Sequence, residues 1–257
     1  MVELQAGNAA KLQLDTNAAP TAAIKVDVLF LLDTTGSMSD EIDRLKATIR
    51  SVSERLDELP SRPDLRIAMT VYRDEGDAYL TRTFDFTGDV GSFQGALAAV
   101  QAGGGGDEPE AVDEALADAL AKPAWRPDAL GLVFLVADAG PHIDRQVPVP
   151  YTDSIRTAVA GGIKIFPVAS SNSGDTAEFA FRQLAEATGA RFVFLSYGAA
   201  GAALGRGTNI DSTDYEELAL DDLVVRLIAE ELAARTGSST PQLPPPSSTT
   251  TTRPGGQ

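Results

Sequence analysis

Residues 26 to 39, VDVLFLLDTTGSMS, put a set of oxygen donors at the end of an apolar run. Val28 to Leu32 reads as a buried strand that delivers Asp33 to its C-terminal end. Thr35, Ser37 and Ser39 follow at alternate positions around Gly36, just before an amphipathic helical pattern that opens with acids. A carboxylate and hydroxyls converging on one point suit a hard divalent cation, which takes oxygen ligands. Two further segments carry oxygens of the same kind. GGGGDEPE, residues 103 to 110, holds Asp107, Glu108 and Glu110, and the segment Asp138 to His142 (DAGPH) follows a second apolar run.

Other chemistries fit less well. The chain has no cysteine, which removes disulfides, thiolate metal sites and a cysteine nucleophile. His142 is the only histidine, and no G-x-S-x-G elbow is present for a hydrolase triad. An aspartyl nucleophile of the haloacid-dehalogenase type needs a second aspartate two residues on as general acid, and Thr35 stands there. The glycines 103 to 106 are not followed by Lys-Ser or Lys-Thr, and the acids beside them would repel phosphate. The chain is therefore expected not to be an enzyme.

Something must bring the three oxygen-bearing segments together. Strand-like runs cover residues 26–32, 66–72, 80–86, 131–137, 163–168 and 192–195, and helical patterns cover 40–58, 90–101, 109–121, 151–160, 176–188 and 220–235. Near-continuous apolar strands such as LGLVFLVA imply a sheet covered on both faces. Their alternation with helices predicts an α/β, doubly wound, mostly parallel sheet, with one antiparallel edge strand from the closely spaced runs at 66–72 and 80–86. In such a sheet ligands bind at the carboxyl ends of the strands, near the point where strand order reverses, and all three segments leave that edge. Ser39 is expected to cap the first helix, and Asp107-Glu108-Pro109-Glu110 to open another with Asp107 at the cap.

Composition narrows the partners. The 257 residues carry a net charge of −16 with a pI near 4.4, so nucleic acid and anionic membrane surfaces are poor partners. No apolar run approaches the ~18 residues of a membrane span. Residues 24–236 are expected to form one domain. Residues 1–23 would be an arm or extra edge strand, 198–214 a long surface loop, and the Pro/Ser/Thr-rich 237–257 a disordered tail. The N-terminus has no secretory signal pattern, so the cytoplasm is expected for the chain as written, or an extracellular or periplasmic place if a leader was trimmed.

The pattern D-x-(T/S)-G-S-x-S at Asp33 to Ser39 resembles the metal-ion-dependent adhesion site of the von Willebrand factor A family. The resemblance spans roughly residues 25 to 236. It implies a metal held by Asp33, Ser37 and Ser39 from the first loop and Asp138 from the third. The family's second loop supplies a threonine, which is missing here. GGGGDEPE, with VYRDEGD at 71–77 and DAGPH at 138–142, instead looks like the subgroup found in hemicentin and in A domains attached to alpha-kinases. In that reading Asp107 takes the second-loop place, and Thr35, Arg73, Asp74, Glu108, Glu110 and His142 form a ligand-binding rim. A third carboxylate should hold the ion more firmly and leave it less attractive to an acidic ligand. The implied cofactor is Mg2+, or else Mn2+ or Ca2+. The implied function is metal-dependent protein–protein interaction, with a partner's acidic side chain completing the coordination. A scaffold with a purely structural ion is the alternative reading, and a metal-dependent phosphohydrolase a more distant one.

Overall fold

In the computed structural model, residues 23–59, 61–106, 108–170, 173–194 and 220–237 are described. The strands are β1 (Lys25–Asp33), β2 (Asp64–Tyr72), β3 (Thr81–Thr87), β4 (Leu130–Ala137), β5 (Ile163–Ala169) and β6 (Val193–Phe194). The helices are α1 (Ser39–Asp57), α2 (Val90–Ala98), α3 (Val112–Ala121), α4 (Tyr151–Gly161), α5 (Asp175–Thr188) and α6 (Leu220–Thr236). The strands form one sheet in the order β3-β2-β1-β4-β5-β6. Every neighbouring pair is parallel except β2–β3. This is the expected doubly wound sheet with its antiparallel edge. The expected N-terminal arm apart from Ala23, the 198–214 loop and the tail beyond Gly237 lie outside the described residues.

The apolar runs are buried on both faces. Along β1, Val26, Val28, Phe30 and Leu32 join one core with Ile42, Ile49 and Leu56 of α1, Phe93 of α2 and Ile228 of α6. Leu29 and Leu31 join the other, with Leu116 of α3, Ala158 of α4 and Phe181 of α5. Each fully buried leucine or phenylalanine contributes ~1.5–3 kcal/mol, so the middle of the sheet is its most stable part. Phe30, Phe134 and Phe166 stand side by side across β1, β4 and β5, with ring centroids 5.8 and 5.4 Å apart. Side chains alternate along a strand, so Asp33 continues the Leu29–Leu31 row and faces the α3 side.

At the opposite end of β1, Asp27 is fully buried and paired with Arg66 at 2.7 Å and Arg126 at 2.8 Å. Burial alone would raise its pKa, but the bonds from Arg66 and Arg126 outweigh it and hold the carboxyl below its usual value.

Three helix boundaries differ from the sequence expectation. Ser39 does not cap α1 but is its first residue, because the 3-10 turn Gly36–Met38 has already coiled the chain, and Met38 stands at the cap. The helix expected from Pro109 starts at Val112. The Glu110 N–H donates to the Gly140 carbonyl at 3.2 Å, which ties this stretch to the β4–α4 loop instead of to a helical turn. Helix α2 stops at Ala98, and the Gln101 carbonyl beyond it accepts from Arg73.

Candidate functional site

Strand order reverses between β1 and β4, and the chain leaves both at their carboxyl ends. The reversal opens a crevice at that edge. Asp33 closes β1 and Asp138 follows β4, so the two carboxylates sit on either side of it. The resulting cleft, of about 500 Å³, is lined by Thr35, Ser37, Gly104 to Gly106, Glu108, Glu110 and Asp138.

Asp33 is 0% exposed. Its Oδ1 accepts the Thr35 N–H at 2.8 Å and the Thr35 hydroxyl at 2.7 Å. Its Oδ2 is buried and has no hydrogen-bond partner. Thr35 thus lines the cleft and also orients Asp33, and its Oγ1 lies 3.3 Å from the Ser37 hydroxyl. Burial, then the nearby charge of Asp138, pushes the Asp33 carboxyl up to about 7 despite the bonds from Thr35. Desolvation and a like charge both penalise the ionised form.

The glycine loop is sewn to the first loop by backbone bonds, Gly36 N–H to Gly104 O at 3.1 Å and Gly103 N–H to Thr34 O at 3.0 Å. Thr34 is itself held by the Tyr72 carbonyl at 2.6 Å. From the β2–β3 loop, the Asp77 carboxylate accepts the Gly105 N–H at 2.8 Å and the Asp74 N–H at 3.3 Å. Gly104 has φ +78°, a conformation that favours glycine, and a Cβ there would also push aside the Asp77 carboxylate. Asp77 was not among the sequence candidates, although it closes the quoted VYRDEGD segment.

Glu110 lines the cleft from a buried position. It is 4% exposed, its Oε2 has no hydrogen-bond partner, and its Oε1 lies 3.2 Å from where a Cβ of Gly105 would stand. Burial first, then Asp33, Asp74, Asp138 and Asp77, push its carboxyl up to about 8. Buried Glu41 on the first turn of α1 is also raised, by burial and in part by Asp138. One end of the sheet therefore concentrates carboxylates that destabilise one another.

Of the other expected rim residues, Glu108 lines the cleft, while Arg73 and His142 bond elsewhere. Arg73 donates to the Gln101 carbonyl at 2.8 Å and lies 4.8 Å over the Tyr79 ring, so it clasps the glycine loop. The Asp74 Oδ1 is buried and unpartnered. His142 donates its N–H to Asp113 at 3.0 Å, and its Nδ1 is 3.1 Å from the Asp144 carboxylate. Neither Arg73, Asp74 nor His142 lines the cleft. Ser39 is exposed at the start of α1, and Asp107 lies outside the described residues. Among the described residues no three carboxylate or imidazole groups form a ready-made cage for an ion. The donor chemistry nevertheless fits a hard cation, because a buried carboxylate oxygen of Asp33 lacks a partner and the polar side chains lining the cleft, Thr35, Ser37, Glu108, Glu110 and Asp138, all carry oxygen donors.

This sheet order and switch-point cleft define a Rossmann-like α/β domain with an oxygen-lined edge. Residues 27–199 match the family model of the von Willebrand factor type A domain, and the chain belongs to that family. Such domains are typically protein-interaction or adhesion modules and usually non-catalytic. The chain is 33% identical over 118 residues, 46% of its length, to the alpha-protein kinase vwkA of Dictyostelium discoideum. It is 35% identical over 112 residues, 44% of its length, to von Willebrand factor A domain-containing protein 7 of Rattus norvegicus. It spans only 19% of the first relative's length and 12% of the second's. Among solved structures it resembles proximal thread matrix protein 1 from the mussel byssus, with a TM-score of 0.52 and 14% identity, covering 68% of this chain and 42% of that one. It also resembles the pilus adhesin SpaC of Lactobacillus rhamnosus GG, with a TM-score of 0.51 and 11% identity, covering 68% of this chain and 28% of that one. At these identities the two structures speak for the fold alone. Among the described residues no helix is long and apolar enough to cross a membrane.

Proposed function

We propose that this chain is a protein-interaction module that holds a divalent cation at the β1–β4 switch point, Mg2+ first and Mn2+ or Ca2+ as alternates. Asp33, Ser37, Ser39 and Asp138 would hold the ion, with Asp107 and Glu110 adding charge. When bound, the ion supplies an electrophilic centre for an outside oxygen. The observation that carries this reading is the Asp33 Oδ2, buried and unpartnered beside Asp138 and Glu110. A buried polar atom without a partner costs about 1–3 kcal/mol, more for a charged group, and a cation removes that cost. The chain's own residues prepare the place. Thr35 fixes Asp33, Asp77 and Arg73 hold the glycine loop, and Asp113 holds the β4–α4 loop at His142 and Tyr151. The sole histidine lies outside the cleft, so no histidine serves it as a general base. GGGGDEPE and the likeness to vwkA support placing the domain in the subgroup found with alpha-kinases and hemicentin.

Isothermal calorimetry with Mg2+ tests the reading. Binding is expected in the wild type and lost in Asp33→Ala, and pull-down of any partner should fail in EDTA. No heat of binding in the wild type would refute it. A second reading keeps the ion as a structural pin, favoured by the complete burial of Asp33 and the backbone bonds that already join the loops. It is distinguished by Mg2+ raising the melting temperature while partner capture persists in EDTA.

A further inference from the structure

The charge of the cleft bears on who binds there. The inference rests on the metal-site reading above. Glu108, Glu110 and Asp138 line the cleft, and Asp33 lies beneath it. Among the described residues no lysine or arginine lines it. Two arginines of the neighbouring loops are engaged elsewhere. Arg73 donates to the Gln101 carbonyl, and Arg145 is paired with Glu75 at 3.1 Å. Asp74 and Asp77 add to the field felt by Glu110. With the ion bound and their protons displaced, Asp33, Glu110 and Asp138 carry one negative charge more than a divalent ion neutralises, and Glu108 adds another. The loaded cleft keeps a net negative charge, and its low-dielectric walls strengthen that charge relative to water.

A partner carboxylate brought to such an ion would be repelled by Glu110 and Glu108 at close range. A lysine or arginine would be drawn in, while a neutral oxygen beside it reached the ion. Charge juxtaposition of this kind selects partners through both attraction and penalty. We propose that the metal-loaded cleft recognises a basic segment of a partner protein, pairing a lysine or arginine with exposed Glu108 while buried Glu110 adds negative charge beneath it, and excludes the acidic side chain that the sequence resemblance implied. Glu110 is the discriminating residue because it is 4% exposed, carries an unpartnered oxygen and lies between the glycine loop and Asp33.

The test uses the full chain loaded with Mn2+ and followed by water-proton relaxation, with acetate as the carboxylate probe. Acetate is expected to leave the relaxation of the wild type unchanged and to lower it in Glu110→Gln by displacing bound water. If Glu110→Gln no longer takes up Mn2+, Glu108→Gln serves as the second variant with the same expected response. In parallel, a fluorescein-labelled peptide of alternating lysine and serine is compared by anisotropy with its glutamate-for-lysine counterpart. The lysine peptide should bind only with metal present. Its affinity should fall at least about tenfold in Glu108→Gln and remain unchanged in Asp128→Asn, at the far end of the sheet. Displacement of water by acetate in the wild type, or equal loss in Asp128→Asn, overturns the proposal while leaving the metal site standing. Absence of any Mn2+ relaxation enhancement removes the metal-site reading and the proposal together.

Discussion

Asp33 is placed where a carboxylate is least comfortable without a counter-charge. It ends a strand buried on both faces, spends one oxygen on Thr35, and leaves the other unpaired beside Asp138. Its folded pKa is raised to about 7, above the ordinary 3.8. The stability it contributes is therefore fully present below the ordinary value and is lost as pH rises through about 7. In EDTA, Asp33→Asn should thus lose less stability between acid and alkaline pH than the wild type. Near pH 8 it should melt higher by a few degrees, on the order of the shift that 1 kcal/mol produces. With Mg2+ added the order should reverse, since only the wild type gains from the ion. Thermal melts of both proteins in the two buffers check this, and a wild type that melts higher than Asp33→Asn in EDTA at alkaline pH would contradict it.

At the scale of elements, the site is an assembly of four loops held by a few polar bonds. The β2–β3 loop acts as a strut for the glycine loop through Asp77 and Arg73, and it reaches the β4–α4 loop through Glu75 and Arg145. Asp77→Ala should remove the acceptors of the Gly105 and Asp74 N–H groups and cost about 1–2 kcal/mol of stability. It should weaken Mg2+ binding more than it lowers the melting temperature, because the loop and not the core loosens. Equal metal affinity in calorimetry would remove Asp77 from this role. Asp77 also marks the limit of what the sequence discloses. The strands and their order of appearance were readable, because apolar runs such as LGLVFLVA state burial on both faces directly. Asp33 and Asp138 were readable as strand-end acids. The late start of α3 was not, because Glu110 looks like an ordinary first-turn acid until the Gly140 carbonyl captures its N–H. Nor could local pattern tell that Arg73 and His142 would be drawn to Gln101, Asp113 and Asp144, since those partners are distant or themselves generic surface residues.

Across the whole molecule the charge is distributed by function of place. At the base of β1, Asp27 is held ionised by Arg66 and Arg126, and Asp27→Ala should cost about 1.5–3 kcal/mol in a denaturant titration, since both arginines lose a charged partner while Arg126 keeps Asp64 and Arg66 keeps the Ala124 carbonyl. At the other end Asp33, Glu41 and Glu110 are all raised, so acid accumulates there, with Arg44 offsetting part of the shift at Glu41. In a molecule of net charge −16, like-charge repulsion among these carboxyls adds to that edge's need for a cation. A divalent ion and protons compete for the same oxygens, so their effects on stability are linked. The pKa values of about 7 and about 8 place this competition near neutrality. The rise in melting temperature produced by a fixed excess of Mg2+ should therefore be small at about pH 5.5, where both carboxyls keep their protons, and grow towards about pH 8.5, where the ion meets no competitor. At a concentration about 100 times the dissociation constant the full effect is about 2.7 kcal/mol. Differential scanning calorimetry across that range measures it. An increment independent of pH would mean that the ion binds without displacing protons, and hence away from Asp33 and Glu110.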